Sequence, residues 1–354
     1  MAIKERYATI HYLFILGASV SRSLVSSIIG VLVSLLLLLV GFFTYEIVCR
    51  PMLSHAASAE IMIKQGDTIT ALAKRLEEQR WIRSATCFRL AFLLQYSDKS
   101  LKSGNYEVYP GDTAWNLIDR VARGEVLQEA FTIIEGNTWE QVWQKLSQDE
   151  RVVHSPEEEV VTTFTKIGTY QEALGLEGLF LPNTYHFAQG VKDIQVLMHA
   201  FSEQKILLNK VWSERSPTCV LKSPYEALIV ASLIEREAKL ADEFYTISGV
   251  IQNRLKKGMP LQIDAAVLYG KPGQKSPLTK KDLSRKSPYN TYKNRGLPPT
   301  PIAMPSESAI MAALHPQETK ALYYVINQQG GHTFSHTYAA HLQAVKKMKK
   351  EKKG

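Results

Sequence analysis

Three stretches decide the fold: IMIKQGDTITALAKRL (61–76), YEVYPGDTAWNLIDRV (106–121) and FTIIEGNTWEQVWQKL (131–146). Each opens with apolar residues at alternate positions, passes through Gly-Asp-Thr or Gly-Asn-Thr, and continues with apolar residues three and four apart. The first pattern is the period of a strand with one buried face, and the second is that of an amphipathic helix. Gly66, Gly111 and Gly136 turn the chain, while Asp67, Asp112 and Asn137 are placed to cap the new helix. The copies start 45 and 25 residues apart, so they form a degenerate repeat and not a uniform array. Each reads strand, turn, helix, and the chain is α+β.

Upstream, LVSSIIGVLVSLLLLLVGFF runs from Leu24 to Phe43 without a charge. Twenty helical residues at about 1.5 Å each span the roughly 30 Å hydrocarbon core. A cleaved export signal has a shorter apolar run closely followed by small residues, and Ala57-Ser58-Ala59 lies too far beyond Phe43. Lys4, Arg6 and Arg22 precede the span and Arg50 follows it, which places the amino terminus in the cytoplasm and the rest outside. The expected layout is a cytoplasmic segment (1–23), a single transmembrane helix (24–45), a linker (46–59), the repeat region (60–149), a mixed α+β domain (150–345) and a basic tail (346–354).

The chain has 354 residues, 45% hydrophobic and 21% charged, a balance that supports folded domains and not general disorder. Of the formal net charge of +8, the tail's six lysines and one glutamate supply +5, leaving +3 for everything else. No basic cluster interleaved with aromatics precedes the tail, so no nucleic-acid partner is expected. Cys49, Cys87 and Cys219 form neither a disulfide framework nor a zinc spacing. A serine-hydrolase elbow, a phosphate-cradling loop and a dinucleotide fingerprint are all absent from the sequence, which leaves carboxylate chemistry without a cofactor.

Candidate carboxylates sit on YEALIVASLIEREA (225–238), a helix announced by Ser223-Pro224 and apolar around almost its whole circumference. Val230, Leu233 and Ile234 precede Glu237 by seven, four and three residues, and Leu228 and Ala231 stand likewise to Glu235. A carboxyl among such neighbours is desolvated, which raises its pKa and suits it to general-acid work on a glycosidic oxygen. The competing reading pairs these acids with Arg236, Arg254 or a lysine at the helix end. Downstream, Gln262 and Asp264 lie on a short extended stretch. Ser287-Pro288-Tyr289-Asn290-Thr291-Tyr292 then leads into the loop GLPPTPIAMPS, and the two stretches offer aromatic faces with amide and carboxylate groups of the kind that hold sugars. His332 and His336 fall on one strand of an expected hairpin, about 13 Å apart, so His332, His336 and His341 do not form a metal site, and His332 reads as a hydrogen-bonding group at a site edge.

The first copy resembles the LysM module, a small glycan-binding fold that begins with a similar Gly-Asp-Thr turn. Farther on, EGLFLPNTYHF (177–187), ASLIEREA (231–238), VIQNRLKKGMPLQID (250–264), SPYNTYKNRGLPP (287–299), AALHP (312–316) and GGHTFSHTYAAH (330–341) together resemble the endolytic murein transglycosylases of the YceG-like family. That resemblance implies a lytic cut between N-acetylmuramic acid and N-acetylglucosamine inside peptidoglycan glycan strands, giving 1,6-anhydro ends and limiting strand length. It implies Glu237 as catalytic acid, with Glu235 as the fallback. Glu235, Gln262, Asp264, Tyr289, Asn290, Thr291, Tyr292 and His332 are its substrate-binding candidates. It also implies an inner-membrane location and penicillin-binding proteins as partners. Asn183, Ile263, Ala265, Thr300 and Met304 depart from the family pattern, which bears on subsite preference more than on reaction type. Two other readings fit parts of the sequence: a tethered wall-binding protein without catalysis, and a pyridoxal-phosphate lyase, which lacks its phosphate cradle here.

Overall fold

A computed structural model describes residues 24–53, 57–64, 66–96, 101–167, 174–238, 240–271 and 278–351. The expected cytoplasmic segment 1–23 and the last three residues of the tail lie outside the described residues. The chain forms two compact units, Met1–Leu127 and Gln128–Gly354, and both mix helices with short antiparallel strand pairs.

The first unit begins with helix α1 (Leu24–Cys49), whose apolar stretch is long enough to cross a membrane and is not covered by protein. Its last turn, Tyr45–Cys49, widens to a π-helix, so residues read as the start of a linker continue the helix. Strand β1 (Ala59–Ile63), helices α2 (Ile69–Glu78) and α3 (Ala85–Tyr96), strand β2 (Gly104–Val108) and helix α4 (Ala114–Arg123) follow. β1 and β2 pair antiparallel, with Ile61 opposite Tyr106. Alternation then turns Ile61, Ile63, Tyr106 and Val108 into a core with Leu72, Leu76, Phe88, Phe92, Leu117 and Ile118.

The turns differ from expectation in one respect. Thr68 and Thr113 are the N-caps, their Oγ1 atoms accepting from Ala71 N at 3.2 Å and Asn116 N at 3.4 Å. Asp67 and Asp112 instead fold back to close the turn, each accepting from the backbone N–H three residues earlier, Lys64 at 2.9 Å and Tyr109 at 2.8 Å. The reason is register. The N-cap is the residue with extended φ/ψ just before the first helical one, and that residue is the threonine.

The second unit contains β3 (Gln128–Thr132), α5 (Trp139–Leu146), α6 (Glu157–Lys166), β4 (Thr184–Ala188), α7 (Asp193–Ser213), α8 (Pro224–Glu237), α9 (Phe244–Lys256), α10 (Asp264–Tyr269), α11 (Lys280–Ser284), α12 (Glu307–Leu314), the hairpin strands β5 (Tyr323–Ile326) and β6 (His332–Ser335), and α13 (Tyr338–Glu351). The third repeat copy belongs here and not with the first two, because β3 pairs with β4, Thr132 facing Thr184. The compact units therefore divide at 127/128, inside the 60–149 span assigned to the repeats.

α8 is the spine of this unit. Ser223 caps it by accepting from Glu226 N, Pro224 opens it, and Tyr225 with residues 227–234 is buried. It packs on α12, α9, α10 and α7. Burying Leu228, Ile229, Val230, Leu233 and Ile234 contributes on the order of 10 kcal/mol of transfer free energy before chain entropy is counted. That rigidity matters because the helix ends in the two acids.

Candidate functional site

The last turn of α8 sends Glu235 and Glu237 to different sides, since two residues advance a helix by about 200°. Glu237 faces a cleft of about 550 Å³ lined by Arg254, Gln262, Asp264, Tyr292, Tyr324 and His332, with Tyr323, Tyr338 and His341 at its rim. The Glu237 side chain is half-buried, and its Oε2 is shut off from solvent without a hydrogen-bond partner. It joins no ion pair among the described residues, so the expected pairing with an arginine is not what holds it. Desolvation, reinforced by the nearby Asp264 charge and opposed by Arg254, pushes its pKa up to about 8.

Glu235 is occupied elsewhere. It accepts from Ser306 N at 3.0 Å and Ser306 Oγ at 2.5 Å, and Ser306 is the N-cap of α12. Arg236, exposed, donates to Gly136 O at 2.9 Å. Gly136 N in turn donates to Met304 O at 2.9 Å, and Met304 N to Asn137 O at 2.7 Å. The turn of the third repeat copy is thus docked onto the proline-rich loop and the helix end behind the cleft. Glu177 completes this buttress: buried, it accepts from Trp139 N at 3.0 Å and Tyr269 OH at 3.0 Å, and desolvation pushes its pKa up to about 7. Gly178, at φ +77°, lies where a Cβ would meet Pro301 Cβ at 2.6 Å, so only glycine lets that loop close.

The cleft wall opposite α8 comes from the stretch 260–264. Gln262 has φ +54°, a left-handed conformation that strains a residue with a side chain. Its backbone is held there by Gln262 N donating to Thr291 O at 3.0 Å and by Ile263 N donating to Thr291 Oγ1 at 2.9 Å. Arg254, nearly buried, donates to Leu261 O at 2.6 Å, Leu322 O at 2.6 Å and Gln262 Oε1 at 3.3 Å. Burial lowers its pKa. Tyr292 OH donates to Asp264 Oδ1 at 2.6 Å, and burial first, then that bond, raises the phenol's pKa. On the hairpin side, His332 Nδ1 lies 2.6 Å from Glu243 Oε2, and the ring meets Tyr324 edge-to-face at 5.2 Å.

Of the residues named from sequence, Glu237, Gln262, Asp264, Tyr292 and His332 meet in this cleft. Tyr289, Asn290, Thr291 and Glu235 do not line it. Asn290 Nδ2 donates to Leu283 O and Arg285 O, Thr291 is buried against Ile263, and Tyr289 OH lies 2.9 Å from Thr300 Oγ1. These three shape the wall from behind. Sequence reasoning missed Tyr323, Tyr324, Tyr338 and His341 as site residues and left Arg254 as a possible ion-pair partner. The available signal was the tyrosine pair at the head of the expected hairpin. His341 reaches the cleft because α13 folds back over it, while His336 is exposed. A larger depression of about 650 Å³, lined by Ser284, Lys286, Ser287, Pro288, Lys293 and Asn294, has no acid among the described residues that line it.

Three of the departures from the family pattern have defined structural settings. Ile263 and Met304 are buried, and Thr300 donates to Pro301 O at 2.7 Å.

A carboxyl without a partner at the end of a buried helix thus faces amide, carboxylate and tyrosine groups, an arrangement able to hold and release a proton. The chain belongs to the YceG-like family, whose model matches residues 61–347. It is 31% identical to the endolytic murein transglycosylase of Bacillus subtilis (strain 168), covering 82% of this chain and 84% of that protein. It is 28% identical to the endolytic murein transglycosylase of Streptococcus pneumoniae serotype 2, covering 83% of this chain but spanning only 59% of that protein. A YceG-like protein of Listeria monocytogenes, known from a 2.6 Å crystal structure, matches 82% of this chain over its whole length at 28% identity and a TM-score of 0.52.

Proposed function

We propose that this chain is an endolytic murein transglycosylase that cuts the bond between N-acetylmuramic acid and N-acetylglucosamine inside glycan strands. The observation that carries the reading is the buried, unpartnered Oε2 of Glu237 in a cleft of about 550 Å³. A carboxyl with pKa near 8 holds a proton at neutral pH. Glu237 gives that proton to the glycosidic oxygen as the bond from muramic C1 breaks. The hydroxyl on carbon six of the same sugar attacks C1, and its proton returns to Glu237, closing a 1,6-anhydro ring. One acid suffices because the nucleophile belongs to the substrate, and holding it near C1 supplies part of the rate enhancement. A retaining hydrolase would need a second free carboxylate about 5 Å away. Asp264, bonded to Tyr292, instead raises the Glu237 pKa and positions the strand together with Gln262 and His332.

Around this chemistry we place α1 in the cytoplasmic (inner) membrane, with the amino terminus inside and both units outside. The repeat copies of the first unit act as LysM-like glycan holders, a role supported by their matched turns, each with an arginine eight residues on paired to the turn aspartate, Arg75 to Asp67 at 2.5 Å and Arg120 to Asp112 at 2.9 Å. Cleavage would limit strand length beside penicillin-binding proteins. Digestion of purified glycan strands by the full chain, read by mass spectrometry, tests the reaction. Anhydro ends are expected. Reducing ends that take up oxygen from labelled water, or no cleavage by folded protein, would refute it.

A further inference from the structure

Helix α3 reads ATCFRLAFLLQY, with only Thr86, Arg89 and Gln95 polar. Phe88, Ala91 and Phe92 fill the core of the first unit. On the outer side, however, Leu90, Leu93 and Leu94 are 47%, 46% and 73% exposed, and spacings of three and four align them as one ridge. A helix that is apolar all round is normally covered on all sides, and a contiguous exposed apolar ridge marks a contact surface.

The same unit shows what lies beside that ridge. α3 packs against the π-helical end of α1. Arg83, just before α3, donates to Glu46 Oε1 at 3.1 Å, and Arg50 donates to Oε2 of the same buried carboxylate at 3.0 Å. Phe43, the last residue of the uncharged span, packs on the core that contains Phe88 and Phe92, and Ile47 lies inside it. From Phe43 to the end of α1 is roughly 9 Å of helix, comparable to the depth of the headgroup layer. The Gly111 turn meets the chain as it leaves α1, Met52 N donating to Asp112 O at 2.7 Å. Tyr109 on that turn and Trp115 in the first turn of α4 are 48% and 38% exposed, the two residue types favoured at a membrane interface. Arg89 is exposed on α3, and Arg83 keeps most of its side chain in solvent, which suits anionic headgroups.

We infer that the first unit sits on the lipid surface, with the Leu90–Leu93–Leu94 ridge of α3 inserted at the headgroup–acyl boundary and Tyr109 and Trp115 as interfacial anchors. Such a seat fixes the tilt of α1 and the unit docked on its end relative to the membrane.

The test uses the full chain in vesicles of phosphatidylcholine and phosphatidylglycerol, with Cys49, Cys87 and Cys219 replaced and single spin labels introduced through L90C, L94C, L37C or E78C. Leu90 and Leu94 are exposed, so their labels leave the core intact. Collision with oxygen is compared with collision with a water-soluble nickel chelate. The expected result is an oxygen-to-nickel ratio at 90 and 94 several-fold above that at 78 and below that at 37, whose label lies deeper in the bilayer. Ratios at 90 and 94 equal to that at 78, with 37 in lipid, overturn the inference, as does spin–spin broadening that shows the ridge covered by a second copy. A water-exposed position 37 overturns both the anchor and the seat that depends on it.

Discussion

The two faces of the last turn of α8 carry the same side chain in opposite circumstances. Glu235 accepts two bonds from Ser306 and holds α12 and the proline-rich loop against the helix, while Glu237, two residues on, has a buried oxygen with no partner at all. A carboxylate given donors is tied into the structure. A carboxyl denied them keeps its proton and is available for transfer. The difference comes from what the surrounding chain offers: a serine N-cap on one side, Tyr292, Asp264 and a buried arginine that bonds elsewhere on the other.

Exchanging the acids one at a time should separate these circumstances sharply. Glu237→Gln keeps the shape but can neither give nor recover a proton, so cleavage should fall by about 10²–10⁴-fold while strand binding persists. Initial rates on purified strands, with folding checked by circular dichroism, read this directly; near wild-type turnover would transfer the role to another group.

The same variant has a second, smaller signature. The folded Glu237 pKa of about 8 lies above the ordinary 4.5, so the native state binds more protons than the unfolded state between those values. Wild-type stability therefore declines as pH rises from about 4.5 to about 8 and levels off above that. Glu237→Gln removes its own share of the decline, leaving the smaller share of Glu177, whose pKa is likewise raised, to about 7, and should be the more stable protein at pH 9, by a few kcal/mol at most. Denaturant titrations at pH 5 and pH 9 check the sign, and a wild-type advantage that grows with pH would contradict it.

Glu235→Gln should show the reverse profile. Leaving the Ser306 donors poorly paired costs about 1–3 kcal/mol of stability, yet turnover per folded molecule remains measurable. Complete loss of turnover in folded Glu235→Gln would erase the distinction between the faces.

A still smaller effect is expected at Gln262. Gln262→Gly relieves about 1 kcal/mol of left-handed strain while removing the amide from the cleft. Stability should rise or hold, and kcat/KM should fall by about tenfold. A drop in melting temperature with unchanged kcat/KM would show that the strained residue serves the fold and not the substrate.

Local patterns made much of this molecule legible in advance. The uncharged run from Leu24, the Ser223-Pro224 start and the strand-to-helix turns are all set by near neighbours in sequence, where period and capping chemistry suffice. Partnership over distance was not legible. Nothing in FTIIEGNTWEQVWQKL announces that β3 pairs with Thr184–Ala188, nor that its turn braces Met304 and Arg236. The same limit governs the site. Asp264 could be named because a loop carboxylate is visible in sequence, whereas Glu237 is set apart from Glu235 only by the family resemblance. Tyr323, Tyr324 and Arg254 enter the cleft only because the hairpin and α9 close around it. Asn290 and Thr291 have the composition of a sugar site, but their side chains satisfy backbone groups of the 260–264 and 283–285 stretches.

The protonation of Glu237 at neutral pH is the claim on which the mechanism stands, and it can be observed without substrate. Carboxyl carbons of the 13C-glutamate-labelled protein are titrated by NMR, and the Glu237 signal is assigned by its loss in Glu237→Gln. A midpoint near pH 8 is expected. A midpoint near pH 4–5, the ordinary range of a solvated glutamate, would mean that this carboxyl is already an anion at neutral pH and cannot be the acid that starts the cut.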